Sequence, residues 1–273
     1  MGFQFVTAFK LGILNTKIKI LSIIRGERMK FEKHEVEWTP EKIDRFWKAT
    51  SENSSLRNLC FGIMAGRHVA DLINQSIKFK SLKNILDLSC GKGDILSFCM
   101  KYLKQGQKCY GTDFSMAHVN FVNKRFKDNP VFKKAHLLQQ YPSSFLDGFF
   151  DLIILTEVIE HLDDNDLDSL LNEAKRLLSP GGYIFITTPY NEDLDNGKAV
   201  CPDCGCIFHR WQHVRTWTSE SLKNTLAQYA FHPQKIKSIW WENSFFKRVL
   251  LNIAIKINFI PPRGIVFIGK RKA

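Results

Sequence analysis

From residue 84 onward, short apolar runs alternate with amphipathic stretches. Seven runs read as strands, near 84–89, 107–112, 131–137, 150–156, 181–188, 235–241 and 264–270. Between them, apolar residues recur at three- and four-residue spacing near 93–104, 115–127, 164–178, 218–229 and 245–259, which predicts helices. The run Leu152-Ile153-Ile154-Leu155 has no polar alternation and suits a strand buried on both faces. Together these predict an α/β fold, a doubly wound, mostly parallel seven-stranded sheet. Ahead of it, Thr39-Pro40-Glu41 is a helix start, with Thr as cap, Pro at the first position and then an acid. Ile43, Phe46 and Trp47 then share one face, and a further helix is expected over 55–78. The expected layout is a basic apolar extension (1–34), an N-terminal helical cap (35–80) and a main domain (81–273) with a Cys/His-rich insertion at about 191–217.

The densest chemistry lies where the first strand ends. Ile85-Leu86-Asp87-Leu88 breaks into a tight turn, Ser89 to Gly93. Gly91 and Gly93 remove Cβ atoms where a backbone lets a ligand come close. Asp113 ends the next strand, where a carboxylate can accept both hydroxyls of an adenosine ribose. The dinucleotide fingerprint needs a third glycine, and Leu96 stands there instead. That suits a nucleoside without a pyrophosphate. Thr156 and Glu157 also fall at a strand's carboxyl end, where ligands bind in such sheets.

Four segments in order carry a resemblance: Asp87-Leu-Ser-Cys-Gly-Lys-Gly93, Tyr110-Gly-Thr-Asp113, Phe150 to Leu162, and Leu177 to Ile184. The chain resembles class I S-adenosylmethionine-dependent methyltransferases. The resemblance implies a Rossmann-like fold, S-adenosyl-L-methionine as cofactor, and a cofactor site made by Asp87, Ser89, Gly91, Gly93, Asp113, Phe114, Gln139 and Thr156. Two positions depart from the family pattern. Ser89 replaces the first glycine of the turn, and Leu137, Leu138 and Gln139 stand where an acidic residue often meets the adenine amine.

Two constellations bear on the acceptor. If a helix starts after the fourth strand, Glu157, Glu160 and His161 share one face at i, i+3 and i+4. Such a set can bind a divalent metal (Mg, Mn or Zn). It resembles metal-dependent small-RNA 2′-O-methyltransferases, which implies His213 as a fourth ligand. The same run also resembles quinone-biosynthesis O-methyltransferases, which imply no such site. Separately, Cys201-Pro-Asp-Cys204-Gly-Cys206 has the shape of a zinc knuckle, with Cys206 and His209 completing it. His213 could also serve there, so the two metal readings compete. Without a metal, His161, His209 or His213 can act as general base, with Glu157 beside them.

Charge narrows the partners. The net charge of +12 is carried by the ends: +5 over 1–30, +8 over 234–273, and −1 elsewhere. A near-neutral middle counts against a long polyanion as acceptor. Both ends mix apolar and basic residues, which allows peripheral contact with an anionic membrane; the C-terminal run is expected to pack on the core instead. A second reading makes Met29 the start and residues 1–28 an extension. Seven cysteines without an even framework point to a reducing, cytoplasmic setting. The expected activity is O-methylation of a small or lipid-linked metabolite or glycan. The alternatives are metal-dependent RNA 2′-O-methylation and a non-catalytic cofactor-binding subunit.

Overall fold

The computed structural model describes residues 31–272. The chain falls into two units: Met1–Glu37 with Gly197–Arg210, and Trp38–Asn196 with Trp211–Ala273. The basic run over 1–30 lies outside the described residues.

The larger unit holds the sheet. Its strands are β1 (Asn84–Leu88), β2 (Lys108–Asp113), β3 (Phe132–Leu137), β4 (Phe150–Thr156), β5 (Leu178–Pro189), β6 (Phe231–Ile239) and β7 (Gly264–Arg271). Their order is β3-β2-β1-β4-β5-β7-β6, and only β7 runs antiparallel to its neighbours. The direction of winding reverses between β1 and β4, so a crevice opens at their carboxyl ends. Ile85, Leu86, Leu88, Leu152, Ile153, Ile154 and Leu155 are fully buried, as two covered faces require.

Among the described residues, the helices longer than one turn are α1 (Pro40–Glu52), α2 (Phe61–Ile77), α3 (Asp94–Cys99), α4 (Met116–Arg125), α5 (Asp164–Leu177), α6 (Ser219–Gln228) and α7 (Phe245–Lys256). One core layer joins Val69, Ile73, Leu96 and Val122 to Ile85 and Ile154; the other joins Leu171, Ala174, Leu222 and Leu226 to Leu86 and Phe267. Thr39 caps α1, accepting the Lys42 amide at 3.4 Å, with Pro40 at the first position.

Three expectations change. The helix expected over 55–78 is interrupted: Asn53 accepts the Ser55 and Leu56 amides to start a single turn, Ser54–Arg57, and α2 begins at Phe61. Residues 157–161 form turns, because Glu157 takes a left-handed φ of 52° and the helix starts only at Asp164 behind the Asp163 cap. The C-terminal run does not pack into the core, since no residue of α7 is buried.

The smaller unit is a three-stranded sheet of His34–Glu35, Cys206–His209 and Lys198–Val200. The Cys201–Gly205 turn joins two of these strands, closed by Gly205 N–H donating to Cys201 O at 2.9 Å.

Candidate active site

The turn after β1 is held by the end of β2. Ser89 and Cys90 amides donate to Thr112 O at 3.1 and 2.7 Å. Ser89 carries a φ of 78° without being glycine, a backbone strain of about 1 kcal/mol. Gly91 and Gly93 serve different ends. A Cβ on Gly91 would meet nothing within 4 Å, whereas one on Gly93 would strike Phe126 at 2.7 Å. Gly91 therefore leaves room for a ligand, and Gly93 lets α4 approach, which corrects its assignment to ligand contact. The Cys90 thiol packs against Gly111, and burial pushes it far above the thiolate range, so it is packing rather than a nucleophile.

Asp113 organises the turn from the next strand. Its Oδ2 accepts the Gly91 amide at 2.8 Å, and its Oδ1 accepts the Ser115 amide at 3.0 Å. His118 Nδ1 stands 3.1 Å from Oδ1. Phe114 and Gln139 sit beside it, with Gln139 Nε2 donating to Phe114 O at 3.1 Å.

These residues open onto a cavity of about 1060 Å³, at the upper end of the ~300–1,000 Å³ of ligand sites. Ser89, Gly91, Asp113, Phe114, Gln139 and Thr156 line it. The lining also carries apolar and aromatic side chains: Ile43 and Trp47 from α1, Leu59 and Phe61 around the start of α2, and Trp211 and Trp241. The spacing of Ile43 and Trp47 made a helix face legible, but not that it faces the cavity.

Asp87 does not line the cavity; it lies one layer behind the turn, with both carboxyl oxygens buried and lacking a hydrogen-bond partner. Burial, with Asp113 and Asp94 nearby, raises its pKa from 3.8 to about 8. The folded protein therefore holds one more proton than the unfolded chain between those limits. The stability contributed by Asp87 is fully present below about pH 4 and is lost as pH rises toward 8, by about 1.4 kcal/mol per unit. Asp87→Asn is expected to flatten that slope in the ligand-free protein, read as Tm against pH beside the wild type, leaving the part that Glu157 and Glu160 contribute. A slope unchanged in the variant would assign it elsewhere.

An orphaned buried carboxyl behind a glycine turn fits a ligand bearing positive charge. Asp113 and the open space at Gly91 fit a ribose. The residues present thus suit S-adenosylmethionine, whose sulfonium supplies an electrophilic methyl when bound.

At the end of β4 the carboxylates separate. Glu157 Oε1 accepts the Thr187 hydroxyl at 2.8 Å, and Glu160 Oε2 accepts that of Thr188 at 3.1 Å. Burial raises both pKa values, and Glu157's charge raises that of Glu160 further. Two buried carboxyls this close cannot both ionise cheaply. Glu160, His161 and His213 bring one ligand atom each within 4.8 Å of one another. Glu157, turned to Thr187, stands apart from this trio, which corrects the expected four-ligand set.

The imidazoles are oriented by acceptors. His161 Nδ1 faces Gln212 O at 3.3 Å, and a carbonyl only accepts, so the neutral ring's lone pair lies on Nε2. His213 Nδ1 pairs with the Glu192 carboxylate, which again leaves Nε2 as the basic nitrogen. The two rings are 4.9 Å apart, and Trp47 packs edge-on to His161 at 5.2 Å while donating Nε1–H to Gln212 Oε1 at 2.6 Å. The sequence held no local signal for Glu192, 21 residues before His213, or for Gln212.

In the smaller unit, the amides of Cys204 and Asp203 and the Cys204 thiol point at Cys201, holding its thiol below the ordinary 9.0. Two thiols presented from one turn make half a tetrahedral zinc site. Cys206 and His209 sit three apart on one strand, so their side chains leave opposite faces. The set Cys201, Cys204, Cys206 and His209 does not converge within 4.8 Å among the described residues.

Comparison with known proteins agrees with this geometry. Residues 62–235 match the family model described as a methyltransferase domain. A ubiquinone biosynthesis O-methyltransferase of Pelagibacter ubique (strain HTCC1062) is 31% identical over 174 residues, which cover 61% of this chain and 65% of that protein. Among solved structures, the 1,6-didemethyltoxoflavin-N1-methyltransferase of Burkholderia thailandensis, bound to 1,6-didemethyltoxoflavin and S-adenosylhomocysteine, superposes with a TM-score of 0.59. It is 12% identical, over 88% of this chain and 93% of that one. An S-adenosylmethionine-dependent methyltransferase of Archaeoglobus fulgidus superposes with a TM-score of 0.53, 22% identical, over 76% and 94%. These two likenesses speak for the fold. The family match, the switch-point turn and the Asp113 carboxylate agree, and the chain belongs to the methyltransferase domain family, as a class I S-adenosylmethionine-dependent methyltransferase.

Proposed function

We propose that the enzyme methylates a hydroxyl on a small aromatic or quinone-like acceptor. The observation that carries this reading is the cavity lining, which combines Trp47, Trp211 and Phe61 with the His161 and His213 imidazoles, Trp47 packing on His161. Aromatic walls take a planar ring, and the His213–Glu192 pair can receive the hydroxyl proton at Nε2 as oxygen attacks. Glu192 holds the ring in one tautomer and balances the charge that forms on it. Asp113 and the Gly91 turn hold the donor's nucleoside. Little else is needed, because alignment of oxygen with an electrophilic methyl supplies much of the acceleration.

Two curated relatives carry O-methylation in their names, and a third names a quinone acceptor alone. The Pelagibacter protein is one, and a tocopherol O-methyltransferase of Arabidopsis thaliana and a demethylmenaquinone methyltransferase of Bacteroides fragilis are 27% and 26% identical over shorter spans. The test is a panel of catechols, quinols and phenols with S-adenosylmethionine, read as S-adenosylhomocysteine formed. Turnover on ring hydroxyls supports the reading; turnover only on amines or RNA overturns it.

A second reading rests on the Glu160–His161–His213 trio, which can ligate a divalent metal for 2′-O-methylation of an RNA end. Metal analysis separates the two. On the first reading, activity persists in EDTA, and Glu160→Ala changes no metal content. On the second, Mg or Mn is lost in Glu160→Ala and retained in Cys201→Ser, and activity falls with it. Zinc lost only in Cys201→Ser marks the knuckle as a separate structural site.

A further inference from the structure

Helix α7 presents its apolar stripe outward. Arg248, Leu251, Asn252, Ala254 and Ile255 are the half-buried positions, at the spacing of one helix face. Phe246, Leu250, Ile253 and Ile257 lie on the other side, exposed by 80, 67, 53 and 67%. Phe259 follows at 79%. A water-soluble surface helix keeps its outer face polar, whereas α7 is apolar on that face as well as on the inner one, where Leu251, Ala254 and Ile255 lie. The inner face is fixed: Arg248 NH2 bonds Asp71 on α2 at 2.9 Å, and Asn243 donates to Ile63 O at 3.3 Å. The stripe is therefore held outward by ion pair and hydrogen bond.

Charge identifies what covers it. Residues 243–272 contain seven Lys and Arg and no Asp or Glu. Lys247 and Lys256 are exposed near the two ends of the stripe. A second copy docking on a two-fold axis would set these cations against themselves. Residues 1–30 are also basic, at net +5, and would do the same. Protein interfaces carry about one hydrogen bond per 100–200 Å², but this stripe offers no polar side chain between its lysines. An apolar stripe flanked by cations matches the boundary of an anionic bilayer.

We infer that α7 docks the enzyme on anionic membranes, with Phe246, Leu250, Ile253, Ile257 and Phe259 in the acyl boundary and Lys247 and Lys256 at the headgroups. Helix α7 is pinned to α2, and the first turn of α2, with Phe61 and Met64, walls the cavity. Met64 and the neighbouring Leu59 are themselves about half exposed. A cavity lined by the helix to which α7 is pinned suits an acceptor carried in the bilayer. For the acceptor this rests on the reading above; the docking itself does not.

The experiment is co-sedimentation of the full chain with vesicles of phosphatidylcholine alone, or with phosphatidylglycerol added, at low and high salt. Binding is expected to the anionic vesicles and to weaken with salt. Leu250→Glu with Ile253→Glu is expected to lower partitioning more than 100-fold, two large apolar side chains being lost from the boundary. Lys247→Gln with Lys256→Gln should lower it about 30-fold. Unchanged affinity for S-adenosylhomocysteine reports that each variant is folded. Vesicle binding equal to wild type in both variants overturns the inference. So does a dimer, seen by light scattering, that the same substitutions dissociate without any vesicle binding. Turnover of soluble acceptors is read in parallel. Its absence counts against the proposed acceptor and leaves the vesicle result intact.

Discussion

Asp113→Ala is expected to weaken S-adenosylhomocysteine binding at least 100-fold by titration calorimetry. Each hydrogen bond from a ribose hydroxyl to a charged acceptor contributes about 1.5–3 kcal/mol, and two are at stake. The variant also releases the turn, because the Gly91 and Ser115 amides lose the oxygens they bond at 2.8 and 3.0 Å. That loss is expected to cost about 2 kcal/mol of stability in urea. Asp113→Asn separates the two effects, keeping the shape and one acceptor oxygen while removing the charge. It is expected to fall between wild type and alanine in affinity. Wild-type affinity in the alanine variant would remove Asp113 from the cofactor site.

His213→Ala is expected to lower kcat on a hydroxyl acceptor by about 10²–10⁴-fold, the usual contribution of a positioned base. Affinity for S-adenosylhomocysteine should stay within about twofold, since the ring stands by the acceptor wall rather than at the Asp113 side. Glu192→Gln is the more informative companion. It retains an acceptor for the Nδ1 proton but not the negative charge, so kcat is expected to drop about tenfold with KM little changed. His161→Ala tests the neighbour, whose Nε2 is aimed toward Glu160 Oε1 at 3.8 Å. A kcat reduced only in His161→Ala would move the base from one ring to the other. Wild-type kcat in both would leave alignment alone as the source of rate.

The cofactor half of this site was legible in the chain because its determinants are local. A strand, a turn with glycines and a following helix occupy sixteen residues, 84–99. Asp113, Thr156 and Gln139 each sit at or just beyond the carboxyl end of a parallel strand, and the winding rule brings such ends to one edge. Strand and helix boundaries near 131–137, 150–156 and 164–178 agree with the structure to within a residue or two; the central strand reads as an apolar run, and the helix starts at its Asp163 cap. The acceptor half was not legible. His213 meets Glu192 and His161 meets Gln212 through pairs 21 and 51 residues apart, and no spacing rule encodes them. The i, i+3, i+4 face for Glu157, Glu160 and His161 failed for a stated reason. Glu157 adopts a left-handed φ of 52° that no propensity marks in a glutamate.

The sequence by itself determined the fold family, the donor and the edge of the sheet where the chemistry happens, all from local pattern and strand order. Tertiary structure alone decided three things. It left open space at Gly91 and set Phe126 against Gly93, because what a missing Cβ makes room for depends on the neighbour opposite. It paired His213 with Glu192. It also turned the stripe of α7 outward: periodicity shows that a helix has an apolar face, but only the Arg248–Asp71 pair and the Asn243 anchor fix which way that face points.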